Sequence, residues 1–185
     1  MKHNEKEKSV YHPKGFVCLF LTEMGERFAF YTLSSLFVLY LTHQMMLPDE
    51  VAYSIYFTFS ALLFVMPPLG GYVAERYLNC HIALVMGAVI LCVGYAIIAI
   101  GSMHAFYMGL SMIVVGQGFF KSMPYLILGK MHAGQAKSIM DSRYTKYYLS
   151  INIGGIPALM CGGVIAQHFG YGVAYGIASV GMAIA

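Results

Sequence analysis

The chain has 185 residues, of which 59% are hydrophobic and only 10% charged, and its formal net charge is +3. A soluble domain carries about 25% charged residues, so cytosolic and secreted globular classes are excluded and a multi-span membrane protein is indicated. Cys18, Cys80, Cys92 and Cys161 form no CxxC pair and no Cys/His ligand spacing; they read as small buried hydrophobes, not as a disulfide frame or a metal site.

Residues 1–15 read as a polar cytoplasmic tail carrying Lys2, Lys6, Lys8 and Lys14. It is not expected to be a cleavable leader, because the apolar segment after it is too long and has no small-residue cleavage site. Six apolar segments follow, over 16–42, 51–72, 82–101, 105–128, 144–166 and 171–185. Crossing a bilayer takes about 20 apolar residues, and the short connections make neighbouring spans antiparallel. Outside the apolar cores, the basic residues fall in the tail, at Arg76 after the second segment, and at Lys130, Lys137, Arg143 and Lys146 after the fourth. All lie on one side, which the positive-inside rule makes cytoplasmic. The expected fold is an all-α, six-span bundle over residues 16–185 in the cell membrane, with the N-terminus inside.

Within the first span, Glu23, Glu26 and Arg27 interrupt an otherwise apolar run. Each charge at the centre of a membrane helix costs about 2.5–3.5 kcal/mol unless it is paired or wet. Glu23 and Arg27 are four apart and Glu23 and Glu26 three apart, so they share a helix face, and Tyr31 lies one turn beyond Arg27. This is either a structural ion pair that locks the helix to a neighbour or a functional cluster, which is the default reading of intramembrane ionisable residues. The stretch Glu23-Met24-Gly25-Glu26-Arg27-Phe28-Ala29-Phe30-Tyr31 resembles the ExxERFxYY motif of the proton-dependent oligopeptide transporter family, within the major facilitator superfamily. The one mismatch is Phe30, where the family usually has Tyr.

The second span ends in Pro67-Pro68-Leu69-Gly70-Gly71-Tyr72-Val73-Ala74-Glu75-Arg76. Tandem proline is expected to disrupt the helical ladder, which membrane helices tolerate where neighbours re-satisfy the backbone. The run is similar to the superfamily's loop between helices two and three. That implies a hinge-like, charge-clamped cytoplasmic loop of Gly70, Gly71, Glu75 and Arg76, serving as a gate element or only as a topogenic charge pair. The fourth span carries Gly116-Gln117-Gly118-Phe119-Phe120-Lys121, where glycines beside a polar residue allow another helix close. Lys121 is similar in place to the lysine of the family's GxGFFKPN run, with Ser122 and Met123 in place of Pro and Asn; the alternative is a lysine snorkelling to the cytoplasm. Counting 1.5 Å per residue puts Arg27 roughly 16 Å and Lys121 roughly 11 Å from the inner surface, so both cations can reach one layer. With Glu23 and Glu26 the four intramembrane charges sum to zero.

The fifth segment opens Asp141-Ser142-Arg143-Tyr144-Thr145-Lys146-Tyr147-Tyr148-Leu149-Ser150-Ile151-Asn152-Ile153-Gly154, similar to the family's RDxGFxxFYxxINxG signature in degraded form. Asn152 is either helix–helix glue or a substrate contact. The chain stops at Ala185, well inside the sixth segment. We therefore expect an N-terminal half whose partner is an absent C-terminal six-helix half, and which cannot transport alone.

There is no GxxxxGK[ST] phosphate loop, no HExxH, no GxSxG elbow and no complete dinucleotide fingerprint. No enzyme, cofactor, metal or nucleic-acid partner is expected. Buried carboxylates without a nucleotide site point to an ion-coupled secondary transporter, and charges in both the first and fourth spans fit an inverted 3+3 repeat. The resemblance implies proton-coupled symport of di- and tripeptides. It assigns Glu23, Glu26 and Arg27 to proton coupling, and Lys121 and Tyr31 to peptide binding. Arg27 is expected to share the peptide carboxylate with Lys121. Phe64 stands where some relatives offer a tyrosine. The rival readings are a same-fold carrier for an amino acid or nitrate, and a non-transporting membrane interaction module.

Overall fold

A computed structural model describes residues 13–132 and 137–184. The expected tail before Pro13 lies outside the described residues. The elements are α1 (Pro13–Leu39), continued by a π-helical turn (Tyr40–Gln44), α2 (Asp49–Tyr77), α3 (Cys80–Ile98), α4 (Met103–Phe120), α5 (Met123–Met131), α6 (Lys137–Phe169) and α7 (Tyr171–Ile184). Among the described residues there is no strand. Four stretches, Asp49–Tyr77, Cys80–Ile98, Met103–Met131 and Lys137–Phe169, are long and apolar enough to cross a membrane. α1 is as long but holds four full charges, Lys14, Glu23, Glu26 and Arg27, and α7 is shorter. Counting α4 and α5 as one span gives the six spans expected.

Local chemistry sets the ends. Asp49 and Glu50 occupy the first turn of α2, where carboxylates offset the helix dipole. Asn79 caps α3 by accepting from the His81 N–H at 3.3 Å, and Ser102 caps α4 by accepting from the Ala105 N–H at 3.2 Å. Gly101 and Gly170 follow α3 and α6 in the left-handed region, with φ of 83° and 89°, which only glycine adopts freely. α4 gives way to α5 at Lys121-Ser122 because Pro124 has no N–H to offer the Phe120 carbonyl.

Two expectations about this end of the bundle are corrected. α2 runs unbroken through Pro67 and Pro68 to Tyr77, so Gly70, Gly71, Glu75 and Arg76 are helical and form no loop. α6 begins at Lys137, so Arg143 and Lys146 also lie on a helix and not in a connection. Hydropathy marks only the lipid-length core of a helix; the hydrogen-bonded ladder continues past it wherever side chains allow.

α1 packs on α6 and α7, α3 on α4 and α7, and α2 on α4. Exchanging spans one to three with spans four to six maps this pattern onto itself, as an inverted 3+3 repeat requires. The two main crossings also share a register. At Gly154 of α6 a Cβ would overlap the Met24 carbonyl of α1, and at Gly70 of α2 it would overlap the Gly118 carbonyl of α4. Arg27 is three residues beyond Met24, and Lys121 is three beyond Gly118. Far from these crossings, Phe37, Tyr40, Phe106 and Tyr175 form an aromatic knot with ring centroids 4.9–5.4 Å apart.

Candidate functional site: a buried charge cluster

α1 presents Glu23, Glu26 and Arg27 to the interior, and the pairing inferred from their spacing is present. The Arg27 guanidinium lies 2.5 Å from Glu26 Oε2 through Nη2 and 3.2 Å from Glu23 Oε1 through Nε. Nε also donates to Glu26 Oε2 at 2.5 Å. Glu26 is 0% and Glu23 5% exposed, so each carboxylate oxygen needs a donor from the protein. Neighbouring helices supply two. The Gln117 side-chain amide of α4 donates to Glu26 Oε1, and the Tyr147 hydroxyl of α6 donates to Glu23 Oε2 at 2.6 Å. Both donors are themselves buried. The Tyr95 hydroxyl of α3 lies within electrostatic range of Glu26 and Arg27 and has no hydrogen-bond partner.

Lys121 stands at the α4–α5 break. Its side chain is exposed, and its ammonium sits 5.6 Å from the centroid of the Phe64 ring, within cation–π reach. It lies within electrostatic range of Arg27, Glu23 and Glu26, so the two intramembrane cations share a neighbourhood. Tyr31 is half-buried. Its ring packs at Gly155 of α6, where a Cβ would come within 2.8 Å of it. Asn152, one turn earlier on α6, is exposed; within the described bundle it does not serve as helix–helix glue. The structure thus brings Glu23, Glu26, Arg27 and Lys121 together, with Tyr31 one turn along α1 and Asn152 on the adjoining helix.

The proposed gate residues are separate from this cluster. Gly70 is a packing contact on Gly118, and Gly71 faces the Ser122 hydroxyl, with a Cβ-to-Oγ distance of 3.4 Å. Glu75 is exposed and lines a cavity of about 610 Å³ with Asn79, Cys80 and Lys130. Arg76 donates to the Tyr72 hydroxyl at 2.6 Å. The expected Glu75–Arg76 clamp is absent among the described residues; the Arg76 guanidinium is turned to the Tyr72 hydroxyl and the Tyr72 and Tyr77 rings instead. Sequence reasoning missed Gln117 and Tyr147. Gln117 carried a signal as the polar residue between two glycines; Tyr147 carried none beyond being a tyrosine in an apolar span.

Comparison with known proteins bears on the family and the fold. The family model described as PTR2, POT family, matches residues 81–185. Dipeptide and tripeptide permease B of Photorhabdus asymbiotica subsp. asymbiotica is 34% identical over 175 residues, covering 94% of this chain and 36% of the relative. Dipeptide and tripeptide permease A of Enterobacter sp. (strain 638) is 33% identical over 174 residues, covering 93% and 34%. Among solved structures, the peptide transporter POT in complex with sulfate superposes with a TM-score of 0.88 at 28% identity, covering 94% of this chain and 36% of that one. The POT family transporter PepTSo, crystallised in meso, gives 0.87 at 28% with the same coverage. The chain spans about a third of the length of the relatives it matches.

Proposed function

The chain belongs to the POT family, and from that premise we propose that it supplies the first six spans of a proton-coupled carrier of di- and tripeptides. Relatives named as dipeptide and tripeptide permeases support the substrate class. A second six-helix half, for which those longer relatives have room, would complete the path and rock against this one. The distribution of Lys and Arg supports a cytoplasmic N-terminus. The Arg143 guanidinium near the start of α6 lies 5.3 Å from the Phe16 ring near the start of α1, so the basic ends of these two spans meet.

One observation carries the mechanism: Arg27 is held by two buried carboxylates at once. In that state its fork is engaged and offers nothing to a ligand. A peptide's terminal carboxylate competes with Glu23 and Glu26 for the same guanidinium. Protonating a glutamate removes one competitor, so Arg27 can turn toward the peptide while Lys121, already exposed, supplies the second cation. Tyr31 and Asn152 add neutral hydrogen-bonding groups. Proton and peptide then favour each other's binding by the same factor, which is the thermodynamic basis of symport. Glu75 and Arg76 act at the far end of α2, as part of the closure on the cytoplasmic side.

The test is made on the whole protein in proteoliposomes. Glu23→Gln abolishes uptake driven by a pH gradient while peptide–peptide exchange partly survives; uptake that stays fully proton-driven removes Glu23 from the mechanism. Lys121→Ala weakens peptide binding, and unchanged binding returns Lys121 to a snorkelling surface lysine.

A further inference from the structure

We propose that Tyr147 sets the pH at which Glu23 lets go of Arg27, which makes it a positioning residue for the coupling step; this rests on the reading above. Glu23 has two donors of different kinds. Arg27 reaches it at 3.2 Å but sits closer to Glu26, at 2.5 Å. Tyr147 reaches it at 2.6 Å, the length of a charge-assisted O–H···O⁻ bond. The two donors also differ in what happens when a peptide arrives. Arg27 leaves for the ligand; Tyr147 belongs to α6, is fully buried and stays. Its ring is fixed by Phe16 and Leu128 in one buried cluster and by an edge-on contact with Tyr125 at 5.1 Å.

The hydroxyl is separable from the packing. The ring packs on Phe16, Leu128 and Tyr125 through contacts that a phenyl ring keeps, so the oxygen is an addition to the packing. That oxygen donates to the ionised form of Glu23 and so favours it over the neutral form. The other groups around Glu23 act in both directions. Glu26 on α1 opposes the charge, while Arg27 on α1 and Lys121 beyond α4 favour it, and Tyr125 on α5 lies within range. Gln117 acts on Glu26 alone. Tyr147 is the neutral donor that bears on Glu23 directly, and it does so independently of where Arg27 points.

Removing the hydroxyl makes Glu23 easier to protonate, so protons load at higher pH. In the whole protein, Tyr147→Phe therefore moves the pH of half-maximal gradient-driven uptake upward by about one unit, a tenfold change in proton occupancy at fixed pH. Peptide exchange without a gradient continues, slowed at most a few-fold. A profile that superposes on wild type overturns the proposal, and so does an equal loss of uptake and exchange at every pH, which would make Tyr147 a packing residue only. The wild-type arm isolates the underlying reading: if its uptake ignores the gradient, proton coupling itself fails, whereas a proton-driven wild type with an unmoved Tyr147→Phe profile sinks only the role of the hydroxyl.

Discussion

Gln117→Leu is the most direct test of the buried cluster. Glu26 is 0% exposed and Gln117 2%, so the amide that donates to Glu26 Oε1 has no water to replace it. A hydrogen bond to a charged group contributes about 1.5–3 kcal/mol net. Leucine nearly matches glutamine in volume, so little cavity cost adds to the loss. We expect about 2 kcal/mol of destabilisation, measured as unfolding free energy of the purified whole protein in a denaturing-detergent titration. In a Glu26→Gln background the partner is neutral, and the same substitution should cost only about 1 kcal/mol, in line with neutral hydrogen bonds. The coupling between the two sites is then about 1 kcal/mol, which a double-mutant cycle resolves. If Gln117→Leu costs under about 0.5 kcal/mol, or equally in both backgrounds, the idea that Glu26 depends on an α4 donor is wrong.

Four further outcomes follow from the geometry. Gly70→Ala puts a methyl group against the Gly118 backbone, whose Cα would lie 2.9 Å away; helices α2 and α4 must part, and the variant should lose about 2–4 kcal/mol or fail to give a monodisperse peak on size exclusion. Gly71→Ala meets only the Ser122 side chain and should behave like wild type in the same assay. Phe64→Leu removes the ring beneath the Lys121 ammonium, a contact of about 0.5–1 kcal/mol, and should lower the unfolding free energy by about that amount in the same titration. Arg27→Lys keeps the charge but loses the fork that serves Glu23 and Glu26 together; gradient-driven uptake should fall at least about tenfold, and wild-type uptake would show that bidentate geometry is irrelevant there.

The spans and the charge cluster were legible in the sequence for one reason: lipid makes a polar side chain expensive, so each exception stands out. Glu23, Glu26 and Arg27 on one face could be paired from spacing alone, and the structure pairs them. The helix ends were less legible. Lys137 to Arg143 is polar, and nothing in hydropathy distinguishes a polar helix start from a loop. The tandem proline misled for a related reason: it weakens a helix locally, but α2 is held there by its neighbours. Pro67 is buried, and its carbonyl faces the Ser122 hydroxyl at 3.5 Å. Gln117 and Tyr147 were invisible as donors because their acceptors lie 91 and 124 residues away, and no local pattern encodes such a pairing.

The two helix crossings stand in the same register to the two cations. Gly154 lets the α6 backbone touch α1 at Met24, and Gly70 lets α2 touch α4 at Gly118. At such a crossing there is no room for a long side chain. Arg27 and Lys121 stand three residues beyond these contacts, about one turn along their respective spans. The two sites differ in chemistry. The first span carries two carboxylates of its own, so Arg27 is neutralised and closed; the fourth carries none near Lys121, which remains open beside Phe64. On the proposed mechanism, a site with one exposed cation and one released by a proton would bind an anion weakly when deprotonated and strongly when protonated. Repeat symmetry alone would give two identical cations and no such contrast; the two glutamates of α1 create it.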